Sequence, residues 1–249
     1  MTKMFSLENR VALVTGASRG LGLAMARALK ENGAHVIINA RDAAALATAA
    51  TSIGAQPLAF DVSDSAVARK ALEAIVKEHG HLDILVNNAG IQHRKPLVEW
   101  EDDDFDRVIS VNLTSCFRLA RDAARLMLPQ KFGRIINTGS VAAILGRPTI
   151  HAYVAAKAGL HGLTRSMAAE LGRHGITINA LAPGYVVTEL TRPLVDDPAF
   201  DSWIRGRTPA GRWATVEDLV GTLVWLAAPA SDFVNGQVIA VDGGLTAVV

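Results

Sequence analysis

Arg10-Val11-Ala12-Leu13-Val14-Thr15-Gly16-Ala17-Ser18-Arg19-Gly20-Leu21-Gly22 reads as a buried strand that turns at once into a helix. Glycines at such a turn let the backbone reverse tightly and approach a ligand closely. The free N–H groups and the dipole of the helix that follows favour an anion such as a pyrophosphate. The spacing is Gly-x-x-x-Gly-x-Gly rather than the commoner Gly-x-Gly-x-x-Gly. A tight turn alone accounts for glycines without any ligand, so the stretch gains meaning from its place at the head of a series of strand–helix units.

That series runs through the chain. Strands are expected at Arg10–Thr15, His35–Asn39, Gln56–Phe60, Ile84–Asn87, Gly133–Thr138, Thr177–Leu181 and Val238–Val241. Several are continuously apolar, as parallel strands covered on both faces are. Helices are expected between them at Leu21–Asn32, Ala43–Ser52, Ser63–His79, Asp103–Leu128, Ala152–Arg173 and Val216–Ala227. Gly33, Gly80 and Gly175 sit where helices end, and Ser63 and Thr215 where they begin. The alternation predicts one α/β domain spanning residues 1–249, a doubly wound parallel sheet with helices on both faces. Pro183 to Arg212 departs from the pattern. Its four prolines, with Tyr185, Trp203 and the adjoining Trp213, suggest a small mobile lid.

Composition narrows the function. Of 249 residues 50% are apolar, and the net charge of +1 comes without a dense basic run, which argues against nucleic acid. Cys116 is the one cysteine, so no internal disulfide can form; a small buried hydrophobe is its expected role. Met1-Thr2-Lys3-Met4-Phe5-Ser6-Leu7-Glu8 is too polar for a signal peptide, and no apolar run reaches the roughly 18 residues of a membrane span. A cytoplasmic protein without membrane or nucleic-acid partners is expected.

The cofactor end carries a second signal. Roughly 20 residues past the glycines an acid would bind the ribose hydroxyls of NAD, whereas an arginine would suit the 2′-phosphate of NADP. Ala40 stands there and Arg41 follows. Arg19 in the glycine loop can converge on the same phosphate, so the pattern favours NADP(H) over NAD(H). Asp42 is the competing ribose ligand.

The chemistry lies in Tyr153-Val154-Ala155-Ala156-Lys157, preceded by Ser140 in Thr138-Gly139-Ser140. Residues four apart share a helix face. A phenol titrates near 10, and a neighbouring ammonium lowers that value, which would make Tyr153 a general acid/base.

With these motifs in order, the chain resembles the short-chain dehydrogenases/reductases along its whole length. The matching segments are Thr15–Gly22, Asp61-Val62, Asn87-Asn88-Ala89-Gly90, Asn112, Ser140, Tyr153 to Lys157, and Ala182-Pro183-Gly184 leading to Thr188. The resemblance implies a dinucleotide held by Gly16, Ser18, Arg19, Gly20, Leu21 and Arg41. It implies Asp61 and Val62 at the adenine, Asn88, Ala89 and Gly90 along the cofactor, and Pro183, Gly184, Val186 and Thr188 at the nicotinamide. Tyr153 would exchange a proton with the reacting oxygen and Ser140 would polarise it. Lys157 would tune Tyr153 and bind the nicotinamide ribose, and Asn112 would hold a water that relays protons from Lys157. No metal is implied; a homotetramer is, built through the helices Asp103–Leu128 and Ala152–Arg173 and the apolar Leu245–Val249.

The variable segments look like those of the gluconate 5-dehydrogenase branch: Gly90–Pro96, Gly146–Ile150, Arg207–Trp213 and Ser231–Gly236. That implies a small sugar-acid or polyol substrate and gluconate/5-ketogluconate chemistry. A carboxylate calls for a cation, and arginine binds it bidentately. Arg94, just past the Asn-Asn-Ala-Gly loop, is the expected ligand, with Ser140 and Tyr153 on the reacting oxygen. His93, Arg147 and His151 stand near the same mouth, and Lys95 reads as a solvated loop residue. The rival activity is 3-oxoacyl carrier-protein reduction, for which Arg118, Arg121 and Arg125 would form a docking patch. A non-catalytic NADP-binding regulator would have no use for Tyr153 and Lys157 together.

Overall fold

A computed structural model describes residues 3–248. Met1, Thr2 and Val249, at the ends of the two terminal stretches discussed above, lie outside the described residues.

The elements follow in order: β1 Val11–Val14, α1 Gly20–Glu31, β2 His35–Ile38, α2 Ala43–Ile53, β3 Gln56–Pro57, α3 Ser65–His79 and β4 Ile84–Asn87. Then come α4 Asp102–Ile109, a π turn Ser110–Thr114, α5 Ser115–Met127, β5 Gly133–Thr138, α6 His151–Leu171 and β6 Ile176–Pro183. Last are α7 Arg192–Val195, α8 Pro198–Arg207, α9 Glu217–Ala227 and β7 Val238–Val241. The seven strands are parallel, in the order β3-β2-β1-β4-β5-β6-β7. Every residue of β1, β4, β5 and β6 is buried. Alternate side chains feed two core layers, Val14, Val86 and Ile136 to one face and Leu13, Leu85 and Ile135 to the other. That explains the unbroken apolar runs. The strand order reverses between β1 and β4, and a doubly wound sheet opens its binding crevice at such a point.

The helix expected over Asp103–Leu128 is present as one continuous rod, α4 running into α5, with a single turn at Asn112 widened to a π turn. Two expectations need correction. The α3 cap is Asp64, which accepts from the N–H groups of Ala66 and Val67; Ser63 is already engaged by Asp61. At α9, Thr215 supplies no capping oxygen. Instead the Asp218 carboxylate reaches back to its N–H at 2.8 Å, half of a capping box. The lid is also more regular than its prolines suggest: two helices, α7 and α8, each with proline in the first turn.

Candidate active site

The glycine loop and the loop after β4 meet at the reversal of strand order. Gly16 has φ 64°, and a Cβ there would lie 2.7 Å from Ala89 Cα. A Cβ on Gly22 would lie 2.3 Å from Gly16 O and 2.5 Å from Asn88 Nδ2. Only glycine permits this closeness. Thr15 Oγ1 accepts from the N–H groups of Asn88 and Ala89, and Asn88 Nδ2 donates to the carbonyls of Thr15 and Gly16. The Asn88 side chain therefore braces the loop. Arg19 is the α1 N-cap position but gives no side-chain cap. The first-turn N–H groups beside Ser18, Gly20 and Leu21 are thus left without a side-chain acceptor, as an anion cradle requires.

Farther along the crevice, Arg41 lies 3.8 Å from Asp61, and both are exposed enough to meet a ligand. Burial pushes the Asp61 carboxyl up, but the hydroxyl and N–H of Ser63 and the Arg41 charge outweigh it and hold the group below its usual range. Arg19 pairs with Glu189 of the lid at 2.9 Å, a fully solvated contact. Each cation thus rests on its own carboxylate. Asp42 caps α2, its Oδ1 accepting from the N–H groups of Ala44 and Ala45, which holds its carboxylate at the start of that helix. Val62 and Val186 have their side chains in the core, so any ligand contact there falls to the main chain. Pro183 ends β6, Gly184 packs against Asp242, and the Thr188 N–H and hydroxyl meet Thr191 Oγ1.

Tyr153 and Lys157 stand one turn apart on α6, with Lys157 Nζ 5.6 Å from the centroid of the Tyr153 ring. Lys157 is buried and donates to Thr138 O at 2.6 Å. Ser140 lies two residues past the end of β5, at the start of a short helical turn. Its Oγ accepts from the Ala142 N–H at 3.1 Å, which leaves its hydrogen to be donated elsewhere. Asn112 is fully buried, its Oδ1 accepting from Ile91 N and its Nδ2 donating to Ile91 O, both at 2.8 Å. The side chain thus pins the loop that leads to Arg94, and a relayed water would fall to its main-chain carbonyl. Cys116 is buried as expected, its Sγ 3.4 Å from that carbonyl; burial pushes its thiol up.

Sequence reasoning missed His161. It continues the face of Tyr153 and Lys157 by another turn, and Nε2 accepts from the Ser140 N–H at 3.4 Å. A Cβ on Gly139 would lie 2.3 Å from that atom. Burial, then the charges of Lys157 and Arg165, push its pKa down to about 4, so the ring is neutral near pH 7. The spacing of four from Lys157 was the available signal.

At the mouth, Arg94 Nη2 bonds Gln92 at 2.7 Å. Burial and the charge of Arg147 lower its pKa, while Tyr185 and Tyr153 raise it; all three lie within electrostatic reach of its guanidinium. Arg147 donates to Tyr185 Oη and stacks 4.4 Å from the Phe200 centroid. Among the described residues neither Arg94 nor Arg147 has a carboxylate partner. His93 and His151 instead pack edge-on against Trp100. Asp104 lies 3.1 Å from His93 and 3.3 Å from Lys95, so Lys95 is not simply solvated. Of the arginines read as a docking patch, Arg121 and Arg125 turn onto the buried carboxylate of Asp122, and Arg118 onto Ser63 O.

A family profile described as Enoyl-(Acyl carrier protein) reductase matches residues 16–246. A gluconate 5-dehydrogenase from Gluconobacter oxydans is 47% identical, the match covering 98% of this chain and 97% of that one. A solved gluconate 5-dehydrogenase from Burkholderia cenocepacia, in complex with NADP and tartrate, superposes with TM-score 0.96 at 48% identity over 99% of both chains. A 3-oxoacyl-[acyl-carrier-protein] reductase from Salmonella typhimurium is 39% identical, covering 96% of this chain and 98% of its own.

Proposed function

The chain belongs to the short-chain dehydrogenase/reductase family, and on that premise we propose that it is an NADP(H)-dependent gluconate 5-dehydrogenase. It interconverts gluconate and 5-ketogluconate. The observation that carries the substrate is the pair Arg94 and Arg147, both without a carboxylate partner among the described residues, with Arg94 within electrostatic reach of both Arg147 and Tyr153. A sugar acid supplies the missing anion. The relative solved with NADP and tartrate, a hydroxy acid, fits the same demand.

When bound, the nicotinamide supplies or accepts the hydride. Tyr153 Oη gives a proton to the substrate oxygen in reduction and takes it in oxidation. Ser140 Oγ donates a hydrogen bond to that oxygen, and the Ala142 N–H fixes the direction of the donation. Lys157 places a positive charge beside the Tyr153 ring and meets the nicotinamide ribose. Asn112 holds the loop after β4 in place. Gly16, Ser18, Gly20 and Leu21 cradle the pyrophosphate and Arg41, with Arg19, the 2′-phosphate. Asp61 and Val62 meet the adenine, and Asn88, Ala89 and Gly90 line the cofactor. Pro183, Gly184, Val186 and Thr188 meet the nicotinamide end. Arg94 takes the substrate carboxylate. The lid closes over the crevice. The enzyme works in the cytoplasm; no helix among the described residues is long and apolar enough to cross a membrane. A homotetramer covers the exposed Phe105, Phe117 and Leu128 of the α4–α5 rod and its end.

Carrier-protein reduction is the second reading, favoured by the 39% identical reductase. Arg121 and Arg125 share the Asp122 carboxylate, which offsets part of the charge such a docking patch would need. A panel of gluconate, polyols and β-ketoacyl thioesters assayed with NADP(H) and NAD(H) decides: the proposal requires gluconate with NADP to dominate, and preferred reduction of the thioester overturns it.

A further inference from the structure

We infer that Arg147 is a second carboxylate ligand, which grips the sugar acid opposite Arg94 and couples its binding to the aromatic cluster of the lid. This rests on the sugar-acid reading above and adds a specificity residue to it.

The loop that carries Arg147 is built for a fixed position. Thr149, two residues on, is β-branched yet has φ 74°, a conformation such residues adopt only when the surroundings impose it. The Lys95 N–H donates to Thr149 O at 3.0 Å. That bond ties the Arg147 loop to the loop of Arg94, so the two guanidiniums are presented by neighbouring backbone segments.

Arg147 is held by weak partners. Its guanidinium meets the phenol oxygen of Tyr185 and the ring faces of Phe200 at 4.4 Å and Tyr185 at 5.3 Å. A carboxylate forms charge-assisted, bidentate bonds, and it draws the guanidinium away from the phenol. An uncharged polyol exerts no such pull. Stacking on Phe200 keeps the fork oriented in both states.

The consequence reaches the lid. The Tyr185 ring lies 5.5 Å from Phe200, 5.7 Å from Trp213 and 6.4 Å from Trp203, centroid to centroid. Trp213 is buried and donates to Asp201 of α8 at 2.8 Å. Loss of the Arg147–Tyr185 bond therefore alters the surroundings of both tryptophans.

Two readouts test this on the whole enzyme: tryptophan emission of the NADPH complex titrated with gluconate, tartrate or sorbitol, and kcat/KM for gluconate relative to sorbitol. In the wild type gluconate and tartrate change the emission and sorbitol does not. Arg147→Leu abolishes that response and lowers the gluconate-to-sorbitol ratio roughly tenfold or more, the size of a lost charge-assisted bond. Arg147→Lys recovers only part of the ratio, because an ammonium lacks the planar fork. An unchanged ratio in Arg147→Leu, or an equal emission change with sorbitol, overturns the inference. A wild type that ignores gluconate as a substrate refutes the proposed function instead; the tartrate response and its loss in Arg147→Leu still decide the role of Arg147.

Discussion

Replacing His161 by glutamine isolates the energetic cost of a neutral imidazole packed behind Ser140. The ring titrates at about 4 in the fold against 6.5 outside it. Between those values the unfolded chain binds a proton that the folded chain refuses, so stability falls as pH drops from about 6.5 towards 4. Integrated down to about pH 4.5, the refusal costs roughly 2–3 kcal/mol. Glutamine is of similar size, presents an acceptor to the Ser140 N–H, and does not titrate. Asp61, Asp122 and Asp242, whose carboxyls all lie below their usual range, add acid sensitivity to both proteins alike. Urea unfolding at about pH 7 and about pH 4.5, at one protein concentration, measures the difference. The wild type should lose roughly 2–3 kcal/mol more than His161→Gln across that interval. Equal losses would refute the claim that His161 is buried neutral.

Other perturbations address the cofactor and substrate ends. Arg41→Ala should weaken NADPH roughly tenfold while NADH changes little, since only the former carries the phosphate that this exposed guanidinium would bind; equal Kd shifts by fluorescence titration would count against it. Gly22→Ala forces a methyl group to within 2.3 Å of Gly16 O. It should cost about 1–3 kcal/mol of stability in thermal unfolding and weaken NADPH with it. Arg94→Ala should raise KM for gluconate roughly tenfold or more and leave an uncharged ketone nearly untouched, which steady-state kinetics will show.

The sheet was legible because its central strands are buried on both faces, and such strands announce themselves as unbroken apolar runs. The glycine loop and the Tyr153–Lys157 pair were legible because each motif is contained within a turn or two of sequence. The widened turn at Asn112 was not. A π turn of five residues leaves the amphipathic pattern on either side intact, so Asp103–Leu128 reads as a single helix. Ser63 reads as a cap until Asp61, two residues earlier, is seen to hold it. Arg147 meets Tyr185 across 38 residues of chain, and no local spacing records such a contact. The same holds for Arg19, whose partner Glu189 lies on the lid. His161 belonged to the legible part: it extends the Tyr153–Lys157 face by four residues, and the face was read one turn short.

The central claim, that this crevice performs hydride chemistry with Tyr153 as its acid/base, is tested most directly by Tyr153→Phe. NADPH affinity and 5-ketogluconate reduction are measured on the same preparation. The account predicts NADPH binding close to that of the wild type and turnover lower by roughly 100- to 10,000-fold. Turnover within a few-fold of the wild type, with NADPH still bound, would contradict it.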